Sequence, residues 1–409
     1  MHHRYPERTL ITRQIPQHLT PLVARTTDIK AVSHLLADPA CRLLTIVGPG
    51  GIGKTRLSIA VAADQWARVQ EEADESFVHG IFFVSLQGLE SAELLAPAIA
   101  DAVGCPPANQ ESPQRQLLNF VSNKAMLIVL DSYDELLANH DSHSDGLDLL
   151  TTLLQVAPYV KLLITSREAL HLQEEWLYPL SGLTYPALPQ PGEPETTPAD
   201  LERYSAIQLF VQAARRVQPE FDLSQEWSAI LQICRLVEGL PLALELAASW
   251  VRALSCTEIA REIERSIDFL ATQLRNVPDR HRSMLAVFTQ TWQMLSPNER
   301  NVYKRLAVFR QGFRRQAAEA VAGATLPLLS ALVSKSLLRW DSNGRYQLHS
   351  LLRHFAEEQL NEDSQVAMAT LDAHAAYFVH FLQARTAEVT GARQREVLLE
   401  IDAELENIR

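Results

Sequence analysis

Long apolar runs are missing from this sequence. No stretch approaches the roughly 18 residues that a helix needs to cross a bilayer, so no membrane partner is expected. No signal peptide opens it either, since Met1 to Arg13 is polar and charged. Cysteine is scarce. Cys41, Cys105, Cys234 and Cys256 stand apart, with no CxxC pair and no histidine at zinc spacing. A disulfide framework and a zinc knuckle are thereby excluded, and reduced thiols in the cytoplasm are expected. There is no excess of positive charge. The formal net charge of -12 argues against a general coat for nucleic acid or membrane surfaces. No internal repeat is visible.

What is present is an ordinary globular composition, 47% hydrophobic and 21% charged over 409 residues, enough for two to four domains. Four runs, "LLTIVG" (43–48), "IFFVSL" (81–86), "MLIVLD" (126–131) and "KLLITS" (161–166), are continuously apolar rather than alternating. That pattern suits strands buried on both faces of a parallel sheet. Helix-like segments such as 54–70 and 90–103 lie between them, so residues 1–184 read as a doubly wound α/β domain with an N-terminal lead-in.

Residues 185–200 carry five prolines and read as a linker. The period then becomes helical over 201–278, where Gly239 and Pro241 punctuate two helices. A third unit spans 279–365. Ser296, Pro297 and Glu299 form a helix-start signature, and two β-type runs flank the turn Asp341-Ser342-Asn343-Gly344. Helices followed by such a hairpin predict a winged helix. Residues 366–409 are helical to the last "ELENIR", the pattern expected of a piece cut from a longer protein.

The chemistry is concentrated at Gly48-Pro49-Gly50-Gly51-Ile52-Gly53-Lys54-Thr55, a match to GxxxxGK[ST] between a buried strand and a helix. The glycines let backbone N–H groups turn toward phosphate oxygens, and the helix start adds its dipole. Lys54 supplies a point charge for β- and γ-phosphates, and Thr55 a hydroxyl for Mg²⁺. Asp131 ends the "MLIVLD" strand where a second Mg²⁺ anchor, acting through water, is needed. Ser132 is a poor base, which leaves Asp134 and Glu135 as the catalytic candidates for positioning an attacking water. Arg167 ends the fourth strand, facing the crevice where ligands bind in open α/β sheets, and can read a γ-phosphate.

The ordered set "LTPLVAR", "GPGGIGKTR", "LIVLDSYDEL", "LLITSRE", "GLPLALELAA" and "YQLHSLLRHFA" resembles the STAND class of signalling ATPases. More narrowly, it resembles the NB-ARC-type module of bacterial AfsR/LuxR-associated regulators, relatives of the apoptosome and plant disease-resistance ATPases. The resemblance covers about residues 18 to 365. It implies ADP or ATP with Mg²⁺ as ligands. Val23 and Arg25 lie in the segment that meets adenine and ribose, where Ala24 replaces the family's usual glycine and Thr26 its usual acid. Arg56 continues the phosphate loop. Pro241 packs on the adenine, and His349 contacts the ADP β-phosphate, with Ser350 in place of the usual aspartate. Residues 366–409 resemble the start of a TPR-like sensor region. The family implies a switch that ADP holds closed and ATP opens, with self-association in the ATP state, effector and sensor domains elsewhere in a longer chain, and nucleic acid reached only indirectly. Slow ATP hydrolysis would reset it.

Two rival functions remain. Residues 299–353 hold ten Lys/Arg against three acids, and Arg314 and Arg315 open a helix there, which fits a winged helix that reads DNA directly. A motor-type AAA-like ATPase or a small-molecule kinase is the other. A motor needs rapid turnover, which Ser132 does not favour, and no acceptor constellation for a kinase is visible.

Overall fold

The computed structural model describes residues 13–16, 20–71, 76–89, 91–107, 111–137, 143–186, 198–272, 278–386, 388–391 and 393–409. The chain divides into two compact units, Met1–Ser181 and Gly182–Arg409.

The first unit is a six-stranded, all-parallel sheet flanked by helices. Its elements run β1 (Arg13–Gln14), α1 (Thr26–Ala37), β2 (Leu43–Val47), α2 (Lys54–Gln70), β3 (Ile81–Ser85), α3 (Leu95–Ala102), α4 (Pro113–Val121), β4 (Met126–Asp131), α5 (Asp134–Leu137), α6 (His143–Val156), β5 (Val160–Ser166) and β6 (Glu175–Pro179). The strand order is β1-β3-β4-β5-β2-β6. All six residues of β4 are buried, which explains why its sequence is a continuous apolar run. Ile128 and Leu130 of β4, with Leu162 and Ile164 of β5, pack against Leu95, Ile99, Leu117 and Leu153 from the helices.

Register brings the carboxyl ends together. Ser85 pairs with Asp131, and Val47 pairs with both Ser166 and Pro179. The strands β1 and β6 are absent from the sequence reading. β6 is an edge strand of partly exposed residues ending in proline, so it presents neither a buried run nor a clean alternation.

The second unit is helical apart from one hairpin. Helices α7 (Pro198–Leu201), α8 (Ser205–Val217), α9 (Leu223–Leu236), α10 (Pro241–Ala248) and α11 (Cys256–Arg265) come first. Then follow α12 (Met284–Gln293), α13 (Pro297–Leu306), α14 (Arg315–Ala322), α15 (Leu326–Ser334), the antiparallel strands β7 (Arg339–Trp340) and β8 (Tyr346–Gln347), α16 (Ser350–Asn361), α17 (Ser364–Gln383), α18 (Gln394–Asp402) and α19 (Leu405–Ile408). At the start of α13, Ser296 N donates to Glu299 Oε2 at 2.7 Å and Glu299 N returns a bond to Ser296 Oγ. Phe313 bridges to Tyr346, so a third segment joins the hairpin.

The sequence divides this part into separate segments at 201–278, 279–365 and 366–409, whereas the fold gathers them into one unit. Long-range contacts are the reason. Ser350 N donates to Glu238 Oε1 at 2.6 Å across 112 positions, and Arg345 makes a buried ion pair with Glu404, whose second bond is 3.1 Å. Asn407 Nδ2 donates to Gly312 O at 2.9 Å. The proline-rich linker lies mostly outside the described residues. Among the described residues, no single helix is long and apolar enough to cross a membrane.

Candidate functional site

The loop from Gly48 to Gly53 joins β2 to α2 at the carboxyl edge of the sheet. Gly51 and Gly53 adopt φ of 78° and 97°, where a side chain would be strained. Gly48 is needed for space, because a Cβ there would lie 3.1 Å from both Ile52 Cγ2 and Leu180 O. Ile52 is fully buried and pins the loop from below. The first N–H groups of α2, from Lys54 onward, have no intrahelical acceptor by helix geometry, so the loop ends in a positive dipole. Lys54 Nζ lies across the loop, donating to Gly48 O at 2.7 Å and to Pro49 O at 3.1 Å.

Thr55 Oγ1 donates to Asp131 Oδ1 at 2.7 Å, and Thr165 Oγ1 donates to the same oxygen at 2.6 Å. Thr165 Oγ1 in turn accepts from Ser132 N at 2.9 Å. Asp131 is only 4% exposed, so its position is fixed by these bonds. A hydroxyl and a carboxylate this close are a hard-oxygen pair that fits Mg²⁺, which takes one or two protein ligands and completes its shell with water and phosphate. The fit rests on Thr55 and Asp131, the two residues the sequence singled out for metal.

Arg167 and Asp134, expected to act separately, are partners. Arg167 Nε lies 3.1 Å from Asp134 Oδ2, and Arg167 N donates to Asp134 Oδ1 at 3.3 Å. Both side chains are nearly buried. Glu135 turns the other way, its Oε2 accepting from Gly88 N at 2.8 Å. Asp134 is thus held by Arg167, and Glu135 by an exposed bond to Gly88.

Arg25 was expected beside adenine and ribose. Its guanidinium donates to Ser181 O at 2.9 Å, Ile52 O at 3.2 Å and Asp28 Oδ2 at 3.1 Å, which makes it a brace for the phosphate loop. Asp28 Oδ1 also accepts from Tyr178 Oη at 2.7 Å, which ties the start of α1 to β6. Ala24 has φ of 45°, the left-handed conformation that explains a glycine at this position. Val23 is partly buried. Arg56 donates to Thr20 O and Pro21 O at 2.9 and 2.8 Å and so ties down the lead-in.

Pro241 and His349 belong to the second unit. Pro241 takes the first turn of α10, where its missing N–H is no loss. His349 is the N-cap of α16. Its Nδ1 accepts from Leu351 N at 3.2 Å, and among the described residues its Nε2 has no hydrogen-bond partner although the residue is only 5% exposed. Burial lowers the His349 pKa, against the charge of Glu238 and with that of Arg339, so the ring is neutral near pH 7.

The sequence reading missed Glu238. Its Oε1 accepts from Ser350 N at 2.6 Å and from Ser350 Oγ at 2.5 Å, and its Oε2 lies 4.0 Å from His349 Nε2 and 3.6 Å from Arg339. Burial works against its charge, but His349, the two Ser350 bonds and Arg339 outweigh that and hold its pKa below the ordinary carboxylate value. A signal was present. An acid at the carboxyl end of α9 opposes the helix dipole, so it calls for an outside partner.

Part of the basic segment is engaged within the chain. Arg300 donates to Trp292 O and Gln293 O, Lys335 pairs with Glu299 at 3.0 Å, and Arg345 pairs with Glu404. Helix α15, "LPLLSALVS", carries no charged side chain.

Residues 42–181 match the NACHT domain family model. A putative HTH-type transcriptional regulator of Mycobacterium tuberculosis is 30% identical over 90% of this chain and 39% of its own length. The regulatory protein AfsR of Streptomyces coelicolor is 25% identical over 85% of this chain and 33% of its own. The chain thus spans well under half the length of these relatives. A Walker-type ATPase of Pyrococcus abyssi is structurally similar, with a TM-score of 0.50 at 12% identity, covering 83% of this chain and 98% of that one, which shows a shared fold.

Proposed function

We propose that the chain is a STAND-class P-loop NTPase with a nucleotide-dependent regulatory role, supported by its matched domain and its regulator relatives, and that it is a switch set by ADP and ATP. ADP holds the domains closed. ATP, its γ-phosphate drawing Arg167 from Asp134, favours an open form that self-associates and activates an effector. The observation that carries the nucleotide reading is the 2.7 Å bond between the Thr55 hydroxyl and the Asp131 carboxylate at the mouth of the glycine loop. A ligand shifts such an equilibrium only by its differential affinity for the two forms. Moving the population from 1:99 to 99:1 takes about 5.5 kcal/mol.

In this reading Pro241 meets the adenine and His349 the β-phosphate, as the resemblance implies. Residues 279–365 act as a winged helix, supported by the order helix, bridging segment, two helices, hairpin. DNA reading through α15, the helix just before the hairpin, is disfavoured, because it offers only apolar and hydroxyl groups to a base edge, which leaves Arg314 and Arg315 at the start of α14 as the groups such a reading would need. Asp134 enters hydrolysis only once Arg167 has left it, consistent with slow turnover.

Calorimetric titration of the chain with ADP and with ATP, each with Mg²⁺, tests the proposal. Both should bind, Lys54→Ala should weaken ADP by at least about tenfold, and ATP alone should raise the mass measured by light scattering. Absence of binding by either nucleotide would overturn it.

A further inference from the structure

Within the second unit, a cavity of about 530 Å³ is lined by Tyr185, Arg235, Glu238, Arg339, His349 and Ser350. It gathers the first N–H of α16, the Ser350 hydroxyl, two guanidinium groups and a buried imidazole whose Nε2 lacks a hydrogen-bond partner among the described residues. Donors and cations collected at a helix N-terminus are chemistry for an anion. In this structure an anion from the chain itself takes those donors, the carboxylate of Glu238.

The two sides of this contact are not equally fixed. His349 is held by its bond to Leu351 N and is almost wholly buried. Glu238 sits in the turn between α9 and α10 with φ of 45°, and its side chain is 20% exposed at the cavity wall. A non-glycine residue in that conformation is disfavoured. The carboxylate is therefore the member that can swing aside, with the cavity giving it room.

We propose that Glu238 is a built-in rival of a ligand phosphate at the N-terminus of α16, so that the carboxylate and the phosphate exclude one another there. The ligand rests on the nucleotide reading above, although orthophosphate offers the same chemistry. With Glu238 seated, α9–α10 is tied to α16 by its own carboxylate. With phosphate seated, that tie passes through the ligand. The chain therefore has a latched state that needs no nucleotide, and the nucleotide must displace Glu238 to make its last contact.

The test uses the full chain with Glu238→Gln, which keeps shape and loses charge, and Glu238→Gly, which also relieves the left-handed backbone. ADP affinity is measured by calorimetry, and exchange of the α16 first-turn amides by hydrogen-deuterium mass spectrometry. Without ligand, both variants should exchange those amides faster. Both should bind ADP about tenfold more tightly, within the range of ordinary coupling between sites, and ADP should restore protection. Protection by millimolar orthophosphate but not by ADP would support the rivalry with free phosphate as its source. Unchanged or weaker ADP binding in both variants, with Lys54→Ala still weakening it at least about tenfold, would overturn the rivalry and leave the nucleotide reading standing. No ADP binding by the parent chain would overturn both.

Discussion

Thr165 does two things with one hydroxyl. It donates to Asp131 Oδ1 and accepts from Ser132 N, fixing the acid that ends β4. Thr165→Val keeps the shape and removes both bonds, stranding the Ser132 backbone N–H and leaving Asp131 Oδ1 with Thr55 alone. We expect a loss of about 1–3 kcal/mol, read as a lower urea midpoint, together with weaker Mg²⁺-nucleotide binding. His349 gives a prediction with a sign. Burial depresses its pKa below 6.5 in the folded chain, so the unfolded chain takes up the proton first as pH falls. Its contribution to stability is therefore complete above that value and fades as pH drops toward the folded pKa. His349→Asn can still cap α16, and it should lose less stability than the parent between about pH 7.5 and about pH 5.5, by melting temperature. At this scale Thr55 and Asp131 were legible, because a loop of fixed spacing and a strand end define them locally. The Arg167–Asp134 pair and the brace made by Arg25 were not, since each depends on groups brought together from distant parts of the chain.

Between elements, the turn joining α9 to α10 is the tightest place described. Gly239 has φ of 66°, and a Cβ on it would lie 2.0 Å from Leu183 O. Gly239→Ala should therefore destabilise the second unit by about 3 kcal/mol or more, whereas Gly323→Ala, which meets only the φ penalty in open space, should lose far less. Chemical denaturation of the two variants gives the comparison. This turn was legible as punctuation, since glycine and proline mark it, but its meaning was not. Glu238 is marked locally only as an acid at a helix's carboxyl end, and its partner Ser350 lies 112 positions away. The inner strands were legible for the opposite reason. β2, β3, β4 and β5 are each buried over most of their length, so burial alone writes a continuous apolar run, while β6 at the edge writes nothing distinctive. The pair linking the end of β5 to α5 makes a further test. Removing either Arg167 or Asp134 breaks a nearly buried ion pair and should cost about 3–5 kcal/mol, and the double variant should cost less than the two singles combined, by urea midpoints.

For the whole molecule, the question is whether one ligand speaks to both units. Each has its own core, and in the second unit the buried Arg345–Glu404 pair joins residues that no local pattern connects, which is why the sequence divided that unit further. Two cores allow two unfolding transitions. A ligand that binds only the folded form raises stability by about 2.7 kcal/mol at a hundred times its Kd. A nucleotide gripped only by Lys54, Thr55 and Asp131 acts on the first unit and moves that transition alone. A nucleotide that also engages the second unit must move both, because unfolding either one then breaks contacts to it. Scanning calorimetry with saturating ADP should show both transitions rising. In Lys54→Ala neither should rise, and in Glu238→Gln the second should rise further than in the parent, since the internal carboxylate no longer holds the place of the phosphate. A second transition that ignores ADP in all three chains would make the nucleotide a ligand of the first unit alone, and the switch would have no means of reaching the rest of the protein.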